Sequence, residues 1–199
     1  MIYETLQILK EQLEKYFTEI GLGKIIALDN IALWGSGDNN DEKKVEGKVV
    51  LSLLKIEEET TMKNTPHFEV KDNKTAYKNQ PVNLNLYLLI SANCDTYDKS
   101  LRSISKIIEY FQGKKVFTST NTVYNRNNIA FEELNYFRFN LELFSPSFEE
   151  QNHIWGTLGG RQLPSVIYKI QLVQIDKDKK LASSEVITHI GGNLNDLQQ

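Results

Sequence analysis

Cysteine is nearly missing from this chain: Cys94 is the only one in 199 residues. A lone thiol excludes an internal disulfide framework and fits a reducing compartment. Histidine is scarce too. His67, His153 and His189 are too far apart in sequence for any two to share a metal on one local element. No window approaches the roughly 18 apolar residues that cross a bilayer. The opening segment, MIYETLQILKEQLEKYF, lacks the basic start and unbroken apolar core of a signal peptide. A soluble protein folded in the cytoplasm is expected. Charge of one sign is also missing. A formal net charge of −3 gives no global pull toward nucleic acid or an anionic membrane. There is no G-x-S-x-G, no Walker loop and no His-Glu-x-x-His.

What remains is an ordinary globular composition, 40% hydrophobic, in a chain long enough to bury a core without staples. The length predicts one domain, residues 1–177, with a C-terminal tail, residues 178–199. Ile2, Leu6, Leu9, Leu13, Phe17 and Ile20 recur at helical spacing and predict a first helix, stopped by Gly21 and Gly23. Strands are expected over residues 24–34 and 47–57. Between them GSGDNNDEKK reads as a turn cluster. In the second strand Val49, Leu51 and Leu53 oppose Val50, Ser52 and Leu54. Both faces are apolar, which predicts a central strand. A long polar stretch follows, then a strand over residues 84–93.

Asp95 or Thr96 opens a second helix with Leu101, Ile104, Ile107, Ile108 and Phe111 on one stripe, ended by Gly113. KKVFTST is a short strand, and TNTVYNRNNIA a polar excursion. In NYFRFNLELF strict alternation sets Phe137, Phe139, Leu141 and Leu143 on one face, opposite Tyr136, Arg138, Asn140 and Glu142, and predicts a half-buried strand. Ser147 and Glu150 form a capping box that starts a third helix carrying Phe148, Ile154, Trp155 and Leu158. Residues 165–176 make the last strand. Helix, strands, helix, strands, helix and strand add up to α+β, a mainly antiparallel sheet with two or three packed helices.

Few residues suggest chemistry. Gly159, Gly160 and Arg161 could cradle a phosphate, but these glycines follow a helix instead of preceding one. Helix carbonyls point outward there and repel anions, so a C-terminal stop is the better reading. Glu149 and His153 are one helical turn apart, the spacing of a surface ion pair. Cys94 reads as a small buried hydrophobe. Asp95 and Asp98 read as capping residues, and Glu57, Glu58 and Glu59 as a solvated strand end. Tyr136 and Arg138 would be the outer pair of a weak RNA-stacking platform on an acidic chain. No cofactor, metal or catalytic set emerges. Two classes stay open: an interaction protein using loops and tail, or a small enzyme or adaptor of unknown substrate on the same fold.

Three stretches resemble one family. They are VVLSLLKIEEETTMKN, PVNLNLYLLISANCDTYDKSLRSISKIIEYFQ and ELNYFRFNLELFSPSFEEQNHIWGTLGGRQLPSVIYKIQLVQID. The last holds an aromatic, Leu-Gly, and then Pro-Ser-x-x-Tyr in the family's order. Together they resemble the tube-terminator or cap proteins of contractile injection systems, the phage-tail-like machines of the antifeeding-prophage and Photorhabdus virulence cassette type. The resemblance implies a phage tail-terminator-like fold. It also implies a six-fold ring that halts the inner tube and meets the last sheath layer. Itself, the tube protein and the sheath protein would then be its partners, with no nucleic acid and no membrane insertion. Assembly would be into a particle either released or anchored. Interface candidates on this reading are Arg161, Trp155, Tyr168, Asn64 and Arg126. Residues 62–79 and 120–128 are expected to be mobile when free and ordered by neighbours.

Overall fold

The computed structural model describes residues 1–34, 39–60, 68–71, 74–78, 82–124, 137–175 and 180–185. Among the described residues helices α1 (Ile2–Glu19), α2 (Asn39–Val45), α3 (Tyr97–Gly113) and α4 (Phe148–Thr157) are interspersed with nine strands. The strands are β1 (Ile26–Leu28), β2 (Lys48–Glu58), β3 (Phe68–Lys71), β4 (Lys74–Lys78), β5 (Val82–Asn93), β6 (Val116–Thr118), β7 (Arg138–Phe144), β8 (Ser165–Ile175) and β9 (Lys180–Glu185). The main sheet runs β1-β2-β5-β8-β7-β6, antiparallel throughout except for the β1–β2 pair. The fold is the expected α+β class, with a mixed sheet and helices on both faces. Among the described residues no helix is long and apolar enough to cross a membrane.

Because successive strand residues point to opposite faces, the apolar runs of β2, β5 and β8 feed two cores. Val49 and Leu51 join Leu86, Leu88, Ile90 and Ile170 under α1 and α3. Val50, Leu89 and Ile167 join Ile31, Val45 and Trp155 on the α4 side. The larger core carries an aromatic row: Phe111 lies 4.8 Å from Tyr168 and 6.2 Å from Phe117, which stacks on Phe139 at 5.3 Å. Ring contacts of this kind add roughly 0.5–1.5 kcal/mol each beyond area burial.

α1 buries Leu6, Leu9, Leu13 and Phe17 of the expected stripe, whereas Ile2 is half-buried and Ile20, just past the helix, is exposed; Gly21 and Gly23 take φ of 77° and 79° where it stops. α3 departs from expectation. Leu101 and Ile108 are exposed, while Ser100 and Ser103 are buried with Ile107 and Phe111. The Ser100 hydroxyl accepts from the Cys94 N–H and donates to the Thr96 carbonyl. Two small side chains thus let the start of α3 sit close on the end of β5, and the helix is rotated toward them.

Three other expectations change. The strand expected over residues 24–34 is only β1. Asn30 caps a 3-10 turn over Ile31–Leu33 by accepting from the Ala32 N–H, and the Ile31 N–H goes to Ser52 Oγ. The turn cluster contains the two-turn α2. The polar stretch after β2 holds the β3–β4 hairpin, and β9, within residues 178–199, pairs with β4. The second sheet, β3-β4-β9, has the same order as β2-β5-β8, whose chains lead into it.

A polar knot ties the α1–α3 side together. Gln12 is buried on α1. It donates to the Val123 carbonyl at 2.6 Å and accepts from Tyr110 Oη and Lys114 Nζ. Lys114 also donates to the Asn121 carbonyl. Burial, then nearby Lys15, lowers the Lys114 pKa. Burial raises that of Tyr110 to about 12, with Glu19 adding to the shift.

Candidate functional site

The turn after α4 is built by its capping residues. Ser147 Oγ accepts from the Glu150 N–H, and the Glu150 carboxylate accepts from the Ser147 N–H at 2.8 Å. At the other end Gly159 and Gly160 take φ of 103° and 77°, and the Gly160 N–H donates to the Trp155 carbonyl at 2.7 Å. The glycine pair closes a helix and turns the chain into β8. It presents no helix N-terminus to an anion.

The three interface candidates within the described residues, Trp155, Tyr168 and Arg161, are not brought together. Trp155 is 5% exposed in the smaller core, and Tyr168 is 4% exposed in the larger one, on the opposite face of the sheet. Burial alone lifts the Tyr168 phenol to about 12. Arg161 is exposed and makes no ion pair among the described residues. Asn64 and Arg126 lie outside the described residues. So do the histidines at 67 and 189. His153 sits 3.9 Å from Glu149 on the open surface of α4. Cys94 is half-buried, 3.9 Å from Ser103 Oγ. Thr96 caps α3, and Asp95 pairs with Lys99 at 3.2 Å.

A groove of about 550 Å³ runs along α4 over the sheet, lined by Leu54, Lys55, Tyr87, Phe144, His153 and Ile167. Tyr87 is its centre. The phenol donates to Glu57 at 2.9 Å, and the ring meets Phe144 edge-on at 5.2 Å. Lys55 and Lys169 lie 5.4 and 5.9 Å from the ring centre. Lys55 also binds Glu57 at 2.8 Å. Those bonds, from Lys55 first and then Tyr87, hold the Glu57 carboxyl below its usual range and raise Lys55. Burial, then the bond to Glu57, raises Tyr87. Thr157, the only hydroxyl on the α4 wall, is committed to the Ile154 carbonyl. An aromatic floor with a self-paired ionic rim suits docking a partner; it offers no activated nucleophile.

The sequence did not single out this cluster. A bulge between Leu53 and Lys55 reverses the parity of β2, so Lys55 and Glu57 emerge beside Tyr87 instead of beneath α1. The one hint was a strand whose apolar run turns to charge at Lys55.

The fold can be compared with known structures. One is the sheath/tube terminator of an extracellular contractile injection system, PVC, in its extended state. The similarity has a TM-score of 0.60 at 14% identity, over 98% of this chain and 63% of that one. The other is the tube-terminating cap of the anti-feeding prophage, with a TM-score of 0.50 at 12% identity, over 74% of this chain and 49% of that one. The chain thus spans less than two thirds of either structure. No curated protein sequence matches it. The Pvc16 N-terminal domain family matches residues 4–189. The chain belongs to the Pvc16 N-terminal domain family.

Proposed function

We propose that this protein is a structural terminator of a phage-tail-like contractile injection particle. It ends the inner tube, contacts the last sheath layer and catalyses no reaction. The observation that carries this is the family match over residues 4–189, joined to a fold that follows a sheath/tube terminator along 98% of the chain. The working unit is a ring, six-fold by the resemblance of its sequence. A ring needs head-to-tail contacts that close. Capping also needs two unlike faces, one that mates with the tube and one that does not propagate it. The sheet supplies unlike faces. One is covered by α1 and α3, and the other carries α4 and the Tyr87 groove. The chain folds in the cytoplasm and then joins tube and sheath subunits, without binding nucleic acid or entering a membrane. Arg161, exposed at the α4–β8 turn, is the best candidate to pair with a neighbour, since a guanidinium binds carboxylates in two-pronged fashion.

The test is tube growth in solution. Tube subunits polymerised with a small molar fraction of this protein should give shorter tubes with the protein on their ends. An unchanged length distribution, with the protein left in the supernatant, would contradict the reading.

A further inference from the structure

The main sheet has two stepped edges. On one side β1 flanks β2 only at Val49–Leu51. From Leu53 onward the outer flank of β2 meets no strand among the described residues. On the other side β6 flanks β7 at Arg138–Asn140, with two further bonds, from the Ser119 N–H to the Phe137 carbonyl and from the Leu141 N–H to the Lys115 carbonyl. Beyond Leu141 the outer flank of β7 meets no strand among the described residues, and β7 ends at Phe144, opposite Ile167.

The two steps are complementary. Leu28, Leu51, Ile90 and Val166 share one row across the sheet, so β1 projects at the level where β7 has already ended. Ile56, Leu86, Ile170 and Leu141 share another row, capped by Lys115, so β6 projects just where β2 is bare. Each edge thus has a tooth where the other has a notch. Hollows mark both notches. One of about 480 Å³ lies along Leu51–Leu54 between Leu6 of α1 and Leu158 of α4. The other, of about 280 Å³, lies against Leu143, Ser165 and Val166 between Ile108 of α3 and Trp155 of α4.

Chemistry agrees with shape. Ile56 is 49% exposed and Leu143 54% exposed, each an aliphatic side chain beside a bare flank. Both lie on the α1–α3 face, because their row neighbours Leu86 and Tyr168 are in that core. Lys115 stands two residues before buried Phe117 and so shares that face. It is exposed and makes no ion pair among the described residues. At the end of the β2 notch Glu58 shares this face, since its row neighbour is Leu84, whereas Glu57 turns to Tyr87 on the other face. Strand sense fits as well. β1 points opposite to β7, so it continues the antiparallel alternation when set beside it.

We propose that the two stepped edges are the two halves of a head-to-tail interface between copies of this chain. β6 of one subunit fills the notch along β2 of the next. β1 of the second fills the open end beside β7 of the first, and the sheet runs on from subunit to subunit. Lys115 lays its aliphatic stem over Ile56 of the next copy. The contact uses unlike surfaces on the two sides, as a closing ring requires, and strand addition satisfies the bare backbone. This inference rests on the ring reading above and names its seam.

The test is directed cross-linking of the full chain in a Cys94→Ser background, with native mass spectrometry counting subunits independently. Ile56→Cys and Lys115→Cys are both on exposed positions. Treated with a short bis-maleimide, an equal mixture of the two single variants should give covalent dimers, while either alone gives none. A chain carrying both should give a ladder that ends at the ring size. Rings without the mixed link, or links from one variant alone, would overturn the seam and leave the ring reading standing. A link to tube or sheath subunits in its place would do the same. If only monomers are found, both at high concentration and on particle ends, the ring reading falls and the seam with it.

Discussion

Trp155 and Arg161 are six residues apart and do opposite work. The indole fills the space between Val50, Leu89 and Ile167, whereas Arg161 is exposed. Trp155→Ala should therefore cost about 3–5 kcal/mol of stability, read as a lowered urea midpoint. Arg161→Ala should leave the midpoint within about 0.5 kcal/mol, yet weaken incorporation into particles. Equal stability losses would contradict that division. Tyr168 gives a pH signature. Its phenol has a folded pKa of about 12 against an ordinary value of 10.0. The folded chain holds this proton more tightly than the unfolded one. The associated stability is full below pH 10 and is lost as the pH rises toward 12. Tyr110, raised in the same direction, adds to the loss. Urea midpoints from pH 9 to 11 should fall for the native chain, and less steeply for Tyr168→Phe. Parallel slopes would show that Tyr168 does not carry the effect.

At the level of elements, the Gln12 knot decides how the segment after β6 is held. Gln12→Ala removes the donor to Val123 and the acceptor for Tyr110 and Lys114. It should cost about 1–3 kcal/mol and speed amide exchange around Val123. Unaltered exchange there would mean that packing alone holds the segment. The knot joins residues 98 and 111 positions apart, which no local pattern reveals. Periodicity did reveal α1, β2, β5, β7 and β8, because one face or both faces of each are buried. The capping box and the glycine pair fixed the ends of α4 from residue type alone. Three things were hidden. The β2 bulge changes parity without a proline or glycine to mark it. The tilt of α3 depends on two serines that read as polar. The β3–β4 hairpin pairs with a strand more than a hundred residues away. The described interface candidates differ in burial for a related reason. An aromatic such as Trp155 is equally at home in a core and in an interface, and only the packed neighbours decide between them.

For the whole molecule, the fold supplies a sheet with unlike faces and two unlike edges, which is what a ring that stops a polymer needs. The wide aromatic core gives rigidity, and the ion-paired Tyr87 groove gives a surface for a neighbour. If the groove meets a partner in the particle, Tyr87→Ala should leave the fold intact while reducing co-purification with tube or sheath subunits several-fold. Undiminished co-purification would remove the groove from the contact surface. The central claim, that this chain terminates the tube, is tested most directly by electron microscopy of contractile particles from cells lacking it. Tubes and sheaths of uncontrolled length, or no assembled particles, is the predicted result. Particles of normal abundance and normal length would contradict the account.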